Sequence, residues 1–289
     1  MTGTITAGVD GTAPALAAVD WAADEAERRG ARLRLVHAWT WRPVDVTHGV
    51  DRRVEEDWVR RTLAEAEARV RASHPGLDVT AEVLDGDPVP SLVAETGRSG
   101  TLVLGSRGHG TLTGYLLGSV SLHVLRQAEG PVVMVRAGDR PEALPAPAEV
   151  VAGVQEPGAG SDAVLDFAFS AAAARGVPLR AVHVWNLPAS VGWSPASLYA
   201  ADQSSALEEV SKGVLTDILK PWRDAYPQVE VVEHCEFGSA SEILLSLGGS
   251  AHLLAVGRRG RGEGVRRLGS VTHAVLHHAT APVAVVPHD

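Results

Sequence analysis

The sequence predicts an α/β protein built from two similar domains, each with a parallel sheet. Five short segments of the first half recur in the second half in the same order, roughly 145 to 152 residues later. Within each half, short runs of Val, Leu and Ile alternate with longer amphipathic stretches. Strands buried on both faces give continuous apolar runs, whereas helices show one apolar stripe. The alternation therefore indicates open parallel sheets with right-handed crossovers.

The repeated segments fall at the predicted strands and at a glycine-rich loop. They are TITAGVDG and EVVAGVQE, LRLVHAW and LRAVHVW, TLVLGSRGHG and HLLAVGRRGRG, LGSVS and LGSVT, and GPVVMVR and APVAVVP. A stretch rich in Pro and Ala, residues 137–149, separates the two copies and has no apolar periodicity. We therefore predict one domain over residues 1–140 and a second over residues 147–289.

The first half contains five predicted strands and two clear helices. The strands are Ile5–Val9, Leu33–Ala38, Val79–Leu84, Leu102–Leu104 and Val132–Val135. The first helix covers residues 13–30 and ends at Gly30 as its C-cap. The second covers residues 51–73, with a predicted core stripe of Val54, Trp58, Leu63, Ala66 and Val70. Its counterpart in the second half has a predicted stripe of Leu207, Val210, Val214, Ile218 and Trp222.

Composition limits the classes of partner and the compartment. The net charge of −9 disfavours general nucleic-acid binding. No segment reaches the roughly 18 consecutive apolar residues of a membrane span, and the N-terminus does not read as a signal peptide. The single cysteine, Cys235, cannot form an internal disulfide and is expected to be inert and buried in a strand. We therefore expect a soluble cytoplasmic protein.

Residues 105–120 connect a predicted strand to a predicted helix through a glycine-rich loop. Gly105 and Gly108 permit positive φ and close approach of a ligand. Ser119 is the predicted helix cap, and the free N–H groups of Ser119 and Val120 favour phosphate. The segment lacks the GK[ST] ending of a P-loop. Glycines that merely make turns are the alternative, but recurrence of the spacing and the position at a carboxyl strand end favour a ligand site.

The spacing Gly105-x2-Gly108-x9-Gly118-Ser119 resembles the nucleotide motif of the universal stress protein family in its tandem-domain form. GVDG, VHAW, GDPVPSLVAE and PVVMVR extend the resemblance along the chain. The resemblance implies two tandem Rossmann-like domains of the adenine nucleotide alpha hydrolase-like type. Each would have five parallel strands in the order 3-2-1-4-5, helices on both faces, and ATP between strands 1 and 4.

The resemblance also implies the residues that hold the nucleotide. Asp10 is expected near the adenosine or near a phosphate-bound Mg²⁺, and the Ala38 backbone beside adenine. Arg107 and His109 lie within the motif and are candidates for phosphate contact. The first-site candidates are Gly8, Val9, Asp10, Gly11, Ala38, Gly105, Arg107, Gly108, His109, Gly118, Ser119 and Val120.

The second copy of the motif departs from the first. It is one residue shorter, Gln155 replaces Asp10, and Glu156 replaces Gly11. Its five arginines favour phosphate but equally suit a solvated basic rim. We expect this site to be altered: it binds a nucleotide with a different metal dependence or serves mainly as scaffold. Its candidates are Gly153, Val154, Val184, Gly257, Arg259, Gly260, Gly269, Ser270 and Val271.

Three functions are compatible with the sequence. The favoured one is an ATP-binding stress-response module that acts through nucleotide-dependent conformation or assembly, with no dedicated catalysis beyond slow ATP hydrolysis. A nucleotide-free interaction scaffold is the alternative. An adenine-nucleotide hydrolase is disfavoured because GVDGTAPA does not resemble an SGGxDS loop.

The fifth strands are expected to pair the two halves as a pseudo-dimer, with a homodimer as a further option. The pair His273 and His277 reads as a polar helix face rather than a Zn²⁺ site.

Overall fold

The computed structural model describes residues 3–41, 52–106, 117–138, 148–155, 157–186, 204–259 and 268–288. Internal contacts divide the chain into two units, Met1–Arg140 and Pro141–Asp289. Each unit has an α/β architecture and is described separately. None of the helices in the described ranges is long and apolar enough to cross a membrane.

Unit 1 contains five strands and four described helices. The strands are β1 (Thr4–Gly8), β2 (Arg32–Trp39), β3 (Val79–Asp85), β4 (Thr101–Ser106) and β5 (Val132–Arg136). The helices are α1 (Ala13–Arg29), α2 (Arg52–Ser73), α3 (Pro88–Arg98) and α4 (Ser119–Gln127). The strands are parallel and lie in the order β3-β2-β1-β4-β5. The predicted strand order is therefore confirmed for this unit.

Unit 2 repeats the arrangement. Its strands are β6 (Val150–Val154), β7 (Leu179–Trp185), β8 (Val231–Phe237), β9 (Leu253–Arg259) and β10 (Val283–His288). Its described helices are α5 (Ala159–Arg175), α6 (Ser204–Ala225), α7 (Ala240–Gly248) and α8 (Ser270–His278). The parallel strands lie in the order β8-β7-β6-β9-β10. The same 3-2-1-4-5 order is thus present twice.

The helices cover both faces of each sheet. In unit 1, α1 packs on β1 and β4 and contacts α2, while α3 and α4 contact each other. In unit 2, α5 contacts α6, and α7 contacts α8. The first helix begins after Thr12, whose Oγ1 accepts the amide of Ala15 at 3.4 Å, and ends at Gly30 with φ 58°. The predicted C-cap at Gly30 is therefore confirmed, because only glycine adopts this left-handed conformation without strain.

The predicted core stripe of the second helix is wrong in its first two turns. Val54 and Trp58 are 59% and 47% exposed. The buried residues of α2 are instead Val59, Leu63, Ala66 and Val70. These follow one another at spacings of four, three and four, which keeps them on one face of a helix with 3.6 residues per turn. The predicted stripe stepped five residues from Trp58 to Leu63 and so left that face.

The equivalent helix in unit 2 shows the same kind of error. Leu207 and Val210, predicted to face the core, are exposed, whereas Leu215 and Leu219 are fully buried. Val214 and Trp222 are half-buried and Ile218 is buried. Trp222 stacks on Phe169 of α5 with ring centroids 5.9 Å apart, so its core role holds in part.

Cys235 lies in β8, as predicted, but is only half-buried. Burial, together with the charge of Glu208, raises the pKa of the Cys235 thiol. The raised pKa keeps the sulfur protonated at neutral pH and lowers its reactivity.

Candidate functional site

A cleft of about 290 Å³ opens at the carboxyl ends of β1 and β4 in unit 1. We call it cleft 1. The chain leaves β1 toward β2 on one side and returns as β4 on the other, which makes this the switch point of the sheet. Cleft 1 is lined by Gly8, Val9, Asp10, Thr12, Ala15, Val36, His37, Ala38, Pro88, Leu92, Leu104, Gly105, Val120 and Ser121. Apolar side chains form most of its wall, and a few polar groups stand at its rim.

The rim at the end of β1 is built by Asp10 and Thr12. One carboxylate oxygen of Asp10, Oδ1, accepts both the Thr12 amide at 3.0 Å and the Thr12 hydroxyl at 2.6 Å. The Thr12 oxygen in turn accepts the Ala15 amide of α1. This short chain of hydrogen bonds fixes the carboxylate at the mouth of cleft 1. Both bonds use Oδ1, so Asp10 still presents a second oxygen.

His37 of β2 contributes a buried imidazole to cleft 1. Its side chain is 8% exposed, and Nδ1 has no hydrogen-bond partner among the described residues. Burial lowers the pKa of His37, and the nearby Val9 carbonyl and Asp10 carboxylate partly oppose that change. The ring is therefore neutral at pH 7. Trp58 of α2 meets it edge-on, with ring centroids 5.8 Å apart.

The glycines in and beside cleft 1 are constrained by packing or by backbone conformation. A Cβ on Gly105 would lie 2.4 Å from the carbonyl carbon and oxygen of Pro14, at the start of α1. A Cβ on Gly8 would lie 2.6 Å from Leu104. Gly11 has φ 77° and faces Trp58 and Thr62 of α2 rather than the cleft. Helix α1 can therefore approach the end of β4 only because residue 105 has no side chain.

The start of α4 forms the opposite rim and differs from the sequence prediction. Gly118 occupies the N-cap position, and no side chain caps the helix. Ser119, the predicted cap, is instead the first helical residue, and its carbonyl accepts Nδ1–H of His123 at 2.7 Å. Val120 and Ser121 line the cleft. The amides of the first turn have no carbonyl partner within the helix and carry the positive end of its dipole.

The structure brings about half of the first-site candidates together. Those that line cleft 1 are Gly8, Val9, Asp10, Ala38, Gly105 and Val120. Gly11, Gly118 and Ser119 lie close in sequence but do not line it. Arg107, Gly108 and His109 lie outside the described residues. The other residues that line cleft 1 were not among the candidates: Thr12, Ala15, Val36, His37, Pro88, Leu92, Leu104 and Ser121. The repeated order of strand, loop and helix in both halves nevertheless points to their neighbourhoods.

The corresponding cleft in unit 2 is larger, about 440 Å³. We call it cleft 2. It lies at the carboxyl ends of β6 and β9, and its wall includes Leu244 of α7 and Val256 of β9. The candidates that line it are Gly153, Val154, Val184, Gly257, Arg259 and Val271. Gly269 and Ser270 do not line it, and Gly260 lies outside the described residues.

Polar groups in cleft 2 are arranged differently from those in cleft 1. Gln155 stands where Asp10 stands in unit 1, and its Oε1 accepts Arg259 Nη2 at 3.0 Å. His183, the counterpart of His37, donates from Nδ1 to the Val154 carbonyl at 3.2 Å. Thr272 of α8 donates to the Gly257 carbonyl at 2.8 Å.

A second imidazole, that of His288 in β10, enters the wall of cleft 2. A Cβ on Gly160 would lie 2.7 Å from this ring, and a Cβ on Gly257 would lie 2.8 Å from it. The matching positions in unit 1 are Pro14 and Gly105, which pack directly on each other. In unit 2 the ring stands between helix and strand instead. The sequence analysis did not identify His288. The available signal is that unit 2 has Gly160 where unit 1 has Pro14, which leaves space for a side chain at this point.

The described residues contain no cluster of three or more His, Cys, Asp or Glu side chains that could hold a metal ion by themselves. Among the described residues that line cleft 1, Asp10 is the only carboxylate. Magnesium is commonly held by one or two carboxylates together with phosphate oxygens and water.

Comparison with known proteins places this fold. The model of the universal stress protein family matches residues 1–136 and again 150–287. Universal stress protein Rv1996 of Mycobacterium tuberculosis is 33% identical over 312 residues, covering 99% of this chain and 96% of that protein. Universal stress protein Rv2623 of the same organism is 35% identical over 292 residues, covering 97% and 95%.

A solved structure shows the same fold. The crystal structure of a universal stress protein from Archaeoglobus fulgidus matches with a TM-score of 0.71 at 20% identity, covering 99% of this chain and 98% of that one. Both halves thus have the Rossmann-like α/β fold of these domains. Since the family model matches each half separately, the chain belongs to the universal stress protein family and carries its domain twice.

Proposed function

We propose that this protein is an ATP-binding module of the stress response, with cleft 1 as its principal nucleotide site. The observation that carries the proposal is the convergence of three carboxyl strand ends with the uncapped first turn of α4. Apolar walls suit the adenine ring of a nucleotide, and free backbone amides at a helix start suit its phosphate groups. The absence of a P-loop lysine is then compensated by backbone amides.

Asp10 fits the role of a single protein ligand to Mg²⁺ on the nucleotide. It stands at the rim, is fixed through Oδ1, and keeps Oδ2 for a cation. The magnesium ion would neutralise phosphate charge beside this carboxylate. Without it, the carboxylate and the phosphates would repel each other.

The proposed role is regulatory rather than catalytic. Among the described residues that line cleft 1, His37 is the only candidate base besides Asp10, and it is buried. Nucleotide binding would act by changing conformation or assembly, as in other ligand switches. Pairing through the fifth strands and formation of a homodimer remain parts of the proposal, as does a cytoplasmic location.

Calorimetric titration with Mg²⁺ and ATP tests the proposal in a Val271→Trp background. Val271 lines cleft 2, so the indole closes that cleft and leaves cleft 1 as the single site. We expect one nucleotide per chain. Gly118→Ala adds a methyl group whose nearest neighbour is Ser121 Oγ at 4.0 Å. It should preserve folding but weaken binding by about tenfold, because phosphate must approach the amides at this position.

The matched control is Gly76→Ala. An added Cβ there meets nothing within 4 Å, and the residue precedes β3, at the amino end of that strand. It should leave the affinity unchanged. Absence of ATP binding in the Val271→Trp protein, with its fold retained by circular dichroism, would contradict the proposal and favour a nucleotide-free scaffold.

A further inference from the structure

The two clefts differ in the charge that their walls present. Among the described residues that line cleft 1, the ionisable side chains are Asp10 and His37. Those of cleft 2 are Arg259, His183 and His288, with no carboxylate among them. At the position of Asp10 cleft 2 has the neutral Gln155, and its wall also holds the additional imidazole of His288. Phosphate in cleft 1 would lie near the Asp10 carboxylate, and a metal cation would offset that negative charge. The described lining of cleft 2 has no carboxylate, so phosphate there would need no such cation.

Arg259 is held in position by a neutral partner. Its Nη2 donates to Gln155 Oε1 at 3.0 Å, a neutral acceptor that fixes the guanidinium without cancelling its charge. An aspartate at that position would instead form an ion pair. The remaining N–H groups of the guanidinium fork are suited to bidentate contact with phosphate.

His288 lies next to Arg259 at the same end of the sheet. The two residues are register partners in the parallel pair of β9 and β10, and both line cleft 2. Gly160 and Gly257 leave the space that the ring occupies. An imidazole beside a guanidinium offers a second hydrogen-bond donor to the same anion.

Two helix starts add to this environment. Helix α5 begins at Gly158 and helix α8 at Gly269, and neither has a side-chain cap. In unit 1 the matching start of α1 is occupied by Thr12. The acidic residue in the first turn of α5, Asp162, is exposed and does not line the cleft. Glu156, which follows Gln155 in the chain, lies outside the described residues.

We propose that cleft 2 binds the phosphate groups of an adenine nucleotide without a divalent cation, through Arg259 and His288, whereas cleft 1 requires Mg²⁺. This inference rests on the proposed function for the class of ligand. It adds a second site with a distinct mode of charge neutralisation, supplied by the fixed guanidinium of Arg259 instead of a metal.

Two single-cleft proteins test the inference. Val120→Trp closes cleft 1 from an exposed position, and Val271→Trp closes cleft 2. Each is titrated with ATP by calorimetry, once with Mg²⁺ and once with EDTA. We expect the Val271→Trp protein to lose at least about tenfold in affinity without Mg²⁺, and the Val120→Trp protein to change by less than about threefold.

Further variants in the Val120→Trp background assign the residues. Arg259→Gln should weaken ATP binding in EDTA by about tenfold or more, and His288→Ala by a smaller factor. Gln155→Asp should make binding depend on Mg²⁺. The matched control is Arg175→Gln, at the far end of α5, where the guanidinium donates to the Ala171 carbonyl. It should have no effect.

The outcomes separate the two proposals. Binding by Val120→Trp that disappears in EDTA, or no binding by it at all, overturns the inference while leaving the function of cleft 1 intact. Absence of binding in Val271→Trp overturns the function of cleft 1 instead. Equal loss from Arg259→Gln and Arg175→Gln would show that Arg259 does not contact the ligand.

Discussion

The two clefts occupy the same place in the same fold, yet the first helix of each unit packs differently on the strand beside its cleft. In cleft 1, helix α1 rests directly on the end of β4 through Pro14 and Gly105. In cleft 2 the ring of His288 stands between the equivalent elements, beside Gly160 and Gly257. The comparison shows how a duplicated domain can keep its sheet and still change the size and charge of its site by exchanging a few residues at the strand ends.

The largest expected effect concerns the two glycines at the strand ends. Gly105→Ala should lower the free energy of unfolding by about 2–3 kcal/mol, because the new Cβ meets the backbone of Pro14, which cannot move alone. Gly257→Ala should cost only about 1 kcal/mol, since it meets the end of the His288 side chain, which can rotate away. Urea unfolding measures both.

A double variant checks the explanation. Gly257→Ala combined with His288→Ala should recover most of the loss, as expected when the ring is the obstacle. If the double variant is less stable than the sum of the single variants predicts, the ring is not the source of the difference between the clefts.

The two first helices should also respond differently at their starts. Gly158, the N-cap of α5, has φ 136° and an added Cβ would meet nothing within 4 Å. Gly158→Ala should therefore cost about 2 kcal/mol through backbone strain alone. Thr12→Ala at the start of α1 should cost about 1 kcal/mol through loss of the cap. Equal thermal stability of Gly158→Ala and wild type would exclude the strained conformation.

The smallest expected effect is a pH dependence specific to cleft 1. Burial lowers the pKa of His37 below its ordinary value of 6.5 in the folded chain. The unfolded chain then binds a proton more readily, so the contribution of His37 to stability is complete above about pH 6.5 and is lost as the pH falls below it. Thermal unfolding between pH 7.5 and pH 5 should accordingly be less pH-dependent in His37→Asn than in wild type.

The pH dependence of wild type supplies the comparison. An equal or larger pH dependence in His37→Asn than in wild type would mean that burial of His37 does not control its protonation.

The sequence predicts the fold well because the signal is repeated. Apolar runs such as Val132–Val135 define the strands, and Gly30 marks a helix end through its own conformational freedom. The strand order came from resemblance to a family rather than from periodicity. The exposed Trp58 shows the limit of periodicity, since a shift of one residue moves a side chain off the buried face.

The sites are less predictable because their walls come from distant parts of the chain. The backbone positions around Asp10 and Gly105 follow from the motif. His288 enters cleft 2 only because β10 lies beside β9, a neighbour relation that no local pattern contains. The sequence predicted Ser119 as the cap of α4, whereas Gly118 occupies that position. The cause is similar, since the cap depends on where the backbone turns into the helix.

The edge-on contact between Trp58 and His37 has an optical consequence. An indole next to an imidazole loses fluorescence when the imidazole gains a proton, because the excited ring can pass an electron to the cation. Trp58 is half exposed and its ring centroid is 5.8 Å from that of His37. The difference in emission between wild type and Trp58→Phe therefore isolates one indole among the seven of the chain. The first half of the molecule therefore carries an intrinsic fluorescent reporter of proton uptake at His37.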